Sequence, residues 1–267
     1  MKKKETIKYI VSWLKAYSEK SGMNGFVVGV SGGIDSALTS TLCALTGKKI
    51  FVLNMPILQH KSQFDLADEH ISWLKKKFKN VFSYEIELTK TFLKLMETFP
   101  QEIQDDHSMA NTRSRLRMLT LYAVASHNRM LVAGTGNKIE DFGVGFFTKY
   151  GDGGVDISPI ADLMKSEVYL LAEELGVSQS IIDAPPVDGL WSDNRTDEEQ
   201  IGASYDEMEW AMNQLGKKAK AKRQKLTDRE KKVLEIFKRF RKISEHKMKP
   251  IPVCTIPANL KKGKRKN

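Results

Sequence analysis

The apolar run Phe26–Val30 ends in Ser31-Gly32-Gly33-Ile34-Asp35-Ser36 and passes at once into a helix-like stretch, Ala37–Leu45. Strand, tight loop and helix in that order bring backbone N–H groups and a helix N-terminus to one point, which favours an anion such as a phosphate. Glycine at 32 and 33 keeps side chains away from a close ligand. Ser31 and Ser36 can donate hydrogen bonds, and Asp35 can hold a hard cation that bridges phosphate oxygens. The bland reading of the same residues is a βα turn whose serine caps a helix. The loop lacks the Gly-Lys-Ser/Thr ending of a Walker P-loop, so β/γ-phosphate chemistry of that kind is not indicated.

The alternation continues along the chain. Ile50–Leu53, Val81–Leu88 and Met130–Ala133 read as strands. Residues 61–79, Asn111–Ser126, Ser166–Leu175 and Ile201–Leu215 read as helices, and Ile7, Ile10, Val11 and Leu14 form a helical stripe near the start. The Asn111–Ser126 helix carries Leu116, Leu119, Tyr122 and Ala123. Thr227-Asp228-Arg229-Glu230 is a capping box opening a helix that buries Val233, Ile236, Phe237, Phe240 and Ile243. Residues 142–160 and 183–200 read as loops, the first rich in glycine, and a long loop of that kind is commonly functional. The pattern predicts an α/β fold, a doubly wound parallel sheet with helices on both faces. Ligands in such folds gather at the carboxyl ends of strands near a switch in strand order. Ser31–Ser36 and Gly134–Glu140 both lie just past strand ends, which places them in one site.

The chain of 267 residues, 41% of them hydrophobic, can form one large α/β domain or two small ones. We read a single domain over 1–259 and a disordered basic tail over 260–267. No run of eighteen apolar residues occurs, so no membrane span is expected, and no secretory signal is read in Met1–Glu5. Cys43 and Cys254 lie far apart and fit unpaired thiols of a reducing cytoplasm. The net charge of +10 is unevenly placed: residues 217–267 hold 20 Lys and Arg against 4 Asp and Glu, and the remaining 216 residues hold 23 against 29. The body is thus mildly acidic, and nucleic acid is not expected as the main partner.

Three further strings carry chemistry: Gly134-Thr135-Gly136-Asn137-Lys138-Ile139-Glu140, then Gly145-Phe146-Phe147-Thr148-Lys149-Tyr150-Gly151-Asp152-Gly153-Gly154-Val155-Asp156, then Pro159-Ile160-Ala161-Asp162-Leu163-Met164-Lys165. On composition alone Asp35 and Glu140 are two surface acids or a pair sharing Mg2+, Thr135 is a helix cap or a ligand contact, and Lys165 is a solvated lysine or a phosphate contact. Ser-Gly-Gly-x-Asp-Ser resembles the pyrophosphate loop of the ATP pyrophosphatases. With the other strings, the chain resembles the NAD synthetase family from about residue 5 to residue 252.

That resemblance implies ATP contacts from Gly29, Val30, Ser31, Gly32, Gly33, Ile34, Asp35 and Ser36, and from Arg117, Thr135 and Lys165. It implies Mg2+ on Asp35 and Glu140. It implies that Arg115, Lys149, Asp156, His246 and Lys247 meet the dinucleotide substrate, the last two across a homodimer interface. Asp152 resembles a carboxylate near the reacting acyl group, and with Lys149 it is the candidate catalytic pair. The implied reaction adenylates the carboxylate of deamido-NAD(+) with ATP, releases pyrophosphate, and lets ammonia displace AMP. Glutamine-using relatives carry a large N-terminal nitrilase-like domain. The loop here begins at residue 31, so free ammonia is the expected donor.

The chain also departs from the family pattern. Val187 stands where a Ser or Thr usually meets ATP, so a backbone N–H would have to replace that contact. Arg195 stands for a Gln, Met248 follows His246-Lys247 in place of Arg, and Glu140 to Lys149 is one residue longer than in many relatives. A tRNA-modifying ATP pyrophosphatase of the lysidine synthetase or thiolase type would explain the first loop and the basic tail. Thiolation enzymes of that kind need reactive or paired cysteines, and the chain has no Cys-x-x-Cys. A separate amidotransferase subunit of the GMP synthetase sort would share the first loop but not Lys149–Asp156, and a non-catalytic nucleotide-binding protein would tolerate loss of Asp35 or Glu140, yet both are present.

Overall fold

The computed structural model describes residues 1–186, 196–216 and 226–261. Along the chain, α1 (Lys3–Lys20) precedes β1 (Gly25–Gly29), α2 (Ile34–Leu45) leads to β2 (Lys49–Asn54), and α3 (Lys61–Lys77) leads to β3 (Val81–Glu85). The chain then forms α4 (Thr89–Thr98), α5 (Asp106–Asn128), the two-residue β4 (Leu131–Val132) and a π-helical segment, Lys138–Val144. After these come α6 (Lys165–Leu175), α7 (Gln179–Ile182), α8 (Asp197–Ile201), α9 (Tyr205–Gly216), α10 (Asp228–Met248) and α11 (Ala258–Lys261).

The strands are parallel in the order β3-β2-β1-β4. Phe26 lies opposite Ile50 on one side and Leu131 on the other. A parallel bridge from Ala133 to Ile157 returns the chain to the β4 edge after the glycine-rich loop. The winding runs outward from β1 to β3 and then crosses back to β4, so the direction of travel reverses between β1 and β4, where such folds bind ligands.

Both sheet faces are covered. Phe26, Val28, Ile50 and Val52 face a core shared with α1, α2, α3 and α6. Val27, Phe51, Leu53 and Val132 face a second core shared with α4 and α5. Burial on both sides explains why these strands read as continuous apolar runs rather than alternating ones. Each such side chain contributes about 1.5–3 kcal/mol of transfer free energy. A third cluster lies beside the sheet: Ile139 and Val144 of the π segment pack with Ile201, Met208, Val233 and Phe237.

Several boundaries moved for identifiable reasons. α2 starts at Ile34 rather than Ala37, so Asp35 and Ser36 form its first turn. α5 starts five residues before Asn111 because Asp105 caps it, accepting a hydrogen bond from the Ser108 N–H. Leu119 is 62% exposed, and Ala123 is exposed as well. The helix serves the sheet with one side and the glycine-rich loop with another, so Asn111, Ser114 and Tyr122 interrupt its apolar period. The region read as loop at 183–200 contains α8, opened by a capping box between Thr196 and Glu199. The Thr227–Glu230 capping box is present as read, and Val233 and Phe237 are buried. Ile243 is 61% exposed, on a side of α10 turned away from the loop that buried Ser244 faces. Leu260 and Lys261, placed in the tail from sequence, belong to the short helix α11, and 262–267 lie outside the described residues. Cys43 is buried and Cys254 exposed, both as free thiols. No described helix is long and apolar enough to cross a membrane.

His70 of α3 is 1% exposed. Its Nε2 lies 2.9 Å from Ser40 Oγ, which donates to the Ser36 carbonyl at 2.7 Å. Burial pushes the imidazole from 6.5 down to about 4. The folded state therefore favours the neutral ring, and its stability contribution is complete above the unfolded value and lost as pH falls toward 4. Wild type should lose about 2 to 3 kcal/mol through this group between about pH 7.5 and about pH 4.5. Urea unfolding at the two pH values should show a smaller loss for His70→Gln; equal losses would exclude His70 as the cause.

Candidate active site

The phosphate loop is bonded to itself. Ser31 N–H donates to Ser36 Oγ at 3.2 Å, the two hydroxyl oxygens lie 3.2 Å apart, Gly33 N–H donates to Ser31 Oγ at 3.2 Å, and Ser36 Oγ donates to the Gly33 carbonyl at 2.8 Å. Gly32 has φ +87°, and a Cβ there would come 2.8 Å from the Gln63 carbonyl of α3. This glycine is thus required by the turn and by packing on α3, whatever the ligand. Gly29, Val30, Ser31, Gly33, Ile34, Asp35 and Ser36 line one wall of a pocket at the carboxyl ends of β1 and β4. Thr135, Glu140 and Lys165 line the same pocket.

Asp35 and Glu140 converge on one ammonium group. Lys165 Nζ lies 2.5 Å from Asp35 Oδ2 and 3.2 Å from Glu140 Oε1. The lysine is 3% exposed, not the solvated side chain that its sequence context alone would suggest. Burial alone would lower its pKa, but the two carboxylates outweigh burial and raise it, so the amine stays protonated. Burial likewise opposes ionisation of Glu140, yet Lys165 and the Tyr205 hydroxyl hold it below the ordinary carboxylate range. Tyr205 donates to Glu140 Oε1 at 2.6 Å and lies 3.1 Å from Asp197 Oδ2. Asn137 is fully buried, donates to Asp35 Oδ1 at 3.0 Å, and accepts the N–H groups of Ile139 and Glu140. One amide thus caps the π segment and fixes both acids.

The point between Asp35 and Glu140 is held by the Lys165 ammonium, and the two carboxylates are hard oxygen donors of the type Mg2+ takes. Among the described residues no cluster of three or more metal-ligating side chains occurs. Two hard carboxylates are what a magnesium ion uses when waters and substrate phosphates fill its remaining positions.

Arg117 Nε donates to the Met55 carbonyl at 3.0 Å, and the side chain lines the pocket past the end of β2. Arg115 Nη2 reaches instead toward the Lys149 carbonyl at 3.4 Å, so the two arginines diverge as their spacing predicts. Asp152 also lines the pocket. Its Oδ1 accepts from Ser114 Oγ at 2.7 Å and from Thr148 N–H at 3.0 Å. Surrounding protein pushes its carboxyl above the ordinary range despite those bonds. Asp141, which faces Glu140, Asp152 and Asp35, is pushed up further still, by burial first and by those charges second.

The other expected substrate contacts stand apart from this pocket. Lys149 Nζ donates to the His246 carbonyl at 2.9 Å. Asp156 accepts from Tyr122 OH at 3.0 Å and from Val132 N–H at 2.8 Å, which secures the β4 edge. His246 Nδ1 lies 3.0 Å from the Ile243 carbonyl, and Lys247 Nζ reaches the carbonyls of Gly145 and Phe147. Arg115, Lys149, Asp156, His246 and Lys247 therefore surround the glycine-rich loop rather than line the cavity. Val187 lies outside the described residues. Sequence reading gave no role to Asn137, Ser114, Asp141, Tyr205 or Asp197. Asn137 and Asp141 sat within or beside a recognised string, but nothing in the sequence joins Tyr205 to Glu140.

A glycine-containing turn between β1 and α2 at the reversal of a parallel sheet covered on both faces belongs to an α/β protein of the adenine nucleotide α-hydrolase-like class. A family model described as NAD synthase matches residues 6–251. The chain belongs to that family. It is 38% identical over 257 residues to an NH(3)-dependent NAD(+) synthetase of Alkaliphilus metalliredigens, covering 92% of this chain and 97% of that one. Among solved structures it is similar to NMN synthetase from Francisella tularensis, with TM-score 0.82, 32% identity and coverage of 97% and 99%. It is also similar to the NH3-dependent NAD synthetase from Campylobacter jejuni, with TM-score 0.78, 25% identity and coverage of 96% and 100%.

Proposed function

We propose that this chain forms NAD(+) from deamido-NAD(+), ATP and ammonia. A carboxylate oxygen of the substrate attacks the α-phosphorus of ATP, the bond to the β-phosphate side breaks, and pyrophosphate leaves. Ammonia then adds to the acyl carbon, AMP departs with the bonding electron pair, and a proton is released. The observation that carries this reading is the convergence of Glu140 and Lys165 on Asp35 of the Ser31–Ser36 loop, within one pocket.

The loop N–H groups and Arg117 would orient the triphosphate. Lys165 would move its charge onto phosphate oxygens as pyrophosphate leaves. Asp35 and Glu140 would hold Mg2+, which when bound neutralises charge on the triphosphate. Thr135 would contact ATP, and a backbone N–H near Val187 would supply what the missing hydroxyl does not. Asp152 would hold ammonium and take its proton, since only neutral ammonia is nucleophilic. Arg115, Lys149, Asp156, His246 and Lys247 would bind the dinucleotide around the glycine-rich loop. A homodimer is proposed, with Leu119 and Ile243 offering apolar surface to a second copy. A reducing cytoplasm suits the two free thiols.

The likeness to a protein named NMN synthetase favours a second acceptor, in which the same chemistry amidates the deamido mononucleotide. One assay separates the readings. The protein is incubated with Mg2+-ATP, ammonium and either deamido nucleotide, and the amide, AMP and pyrophosphate are measured. Faster turnover of the dinucleotide supports the first reading, and faster turnover of the mononucleotide supports the second. ADP in place of AMP would refute attack at the α-phosphorus.

A further inference from the structure

The C-terminal half of α10 lies along residues 142–149 and holds their backbone. Arg241 Nη1 donates to the Phe142 carbonyl and, at 3.3 Å, to the Gly143 carbonyl. Lys247 Nζ donates to the carbonyls of Gly145 at 2.5 Å and Phe147 at 2.6 Å, with the Phe147 ring centroid at 4.9 Å. Lys149 Nζ returns a bond to the His246 carbonyl. Contact is close enough that Gly145, at φ +66°, has no room for a side chain: a Cβ would come 2.3 Å from Ser244 Cβ. Phe142 and Gly143 lie in the last turn of the π segment that carries Glu140, and carbonyls at a helix C-terminus lack intrahelical donors and attract cations. From the opposite side α5 holds the same loop, through Asn111 on Thr148 Oγ1 at 2.6 Å and Ser114 on Asp152.

We infer that α10 is a clamp, and that Arg241 and Lys247 are positioning residues that set the 142–152 loop of their own chain and thereby the place of Asp152. The inference rests on the amide-forming reading for its kinetic consequence but not for its structural one. Two of the three donors of the Lys247 ammonium are committed to loop carbonyls, which leaves one for a ligand.

The test compares Lys247→Met, Lys247→Arg, Arg241→Lys, Asp152→Asn and the double variant Lys247→Met/Asp152→Asn in the full chain. In Lys247→Met, amide hydrogen exchange over 142–152 should speed up about tenfold while residues 26–45 keep the wild-type rate. Its kcat should fall about 10- to 100-fold, as expected for a misplaced catalytic group, with KM for ATP within about twofold of wild type. Lys247→Arg should restore most of the loss. In the Asp152→Asn background the methionine change should cost less than about twofold more, because both changes act on one group. Unchanged loop exchange with a raised KM for the dinucleotide, and effects that multiply in the double variant, would overturn the clamp and leave Lys247 a substrate ligand alone. Should the methionine variant not fold, Arg241→Lys decides on exchange over 142–147 alone, faster for the clamp and unchanged against it. If no form of the protein makes amide from ammonia, the functional reading fails while the exchange data still decide the clamp.

Discussion

A Lys165→Met enzyme is expected to lose about 10²- to 10³-fold in kcat, the scale of removing one preorganised charge from a developing anion. The effect is large because the ammonium is buried and already aimed between Asp35 and Glu140, so no other cation replaces it at no cost. Stability should fall as well. Removing one member of a buried ionic cluster leaves uncompensated charge and costs about 3–5 kcal/mol. That cost has a pH signature. Two facing carboxylates without their lysine have raised pKa values, so the variant should be relatively more stable as pH falls and one of them takes a proton. Thermal unfolding across the acid range, with turnover of the folded fraction, checks both parts. Wild-type kcat in the variant would remove Lys165 from the reaction.

Asp152→Asn is the second large effect. The amide oxygen can still accept from Ser114 and Thr148, so the loop keeps its shape while the negative charge goes. Turnover at limiting ammonium should drop about 10²-fold or more, the usual contribution of a positioned base. Because the carboxyl titrates above the ordinary range, wild-type activity should decline earlier on acidification than for a solvent-exposed aspartate. The asparagine enzyme should lack that limb. Rates measured against ammonium concentration at several pH values test this, and full turnover at limiting ammonium would exclude the role.

The sheet and the phosphate loop were legible because each is written in consecutive residues. Phe26–Val30 and Ser31–Ser36 name a strand, a turn and a helix start with no help from the rest of the chain. Thr227–Glu230 likewise announces α10 through a reciprocal cap that is local by nature. Strand-end placement put the loops of Asp35 and Glu140 in one site, and the pairing of the two acids was implied by the family resemblance. Its mediator was not, because Lys165 follows Asp35 by 130 positions and is ordinary until burial is known. Tyr205 and Asn137 were silent for the same reason: their roles are defined by partners across folded elements. Leu119 and Ile243 misled because a helix that serves two neighbours does not keep one apolar stripe. The glycine-rich loop was recognised as important, but which of its residues face the cavity was decided by α5 and α10.

Each of the three acids belongs to a different packed cluster. Asp35 rides on the helix of the first core, Ser114 anchors Asp152 to the second, and Glu140 grows from the third, beside the sheet. The third cluster packs largely among its own helices, so it can melt as a separate cooperative unit. A nucleotide that touches all three acids would therefore tie the clusters together, and protection from inactivation by heat or urea would report on that coupling rather than on the sheet alone.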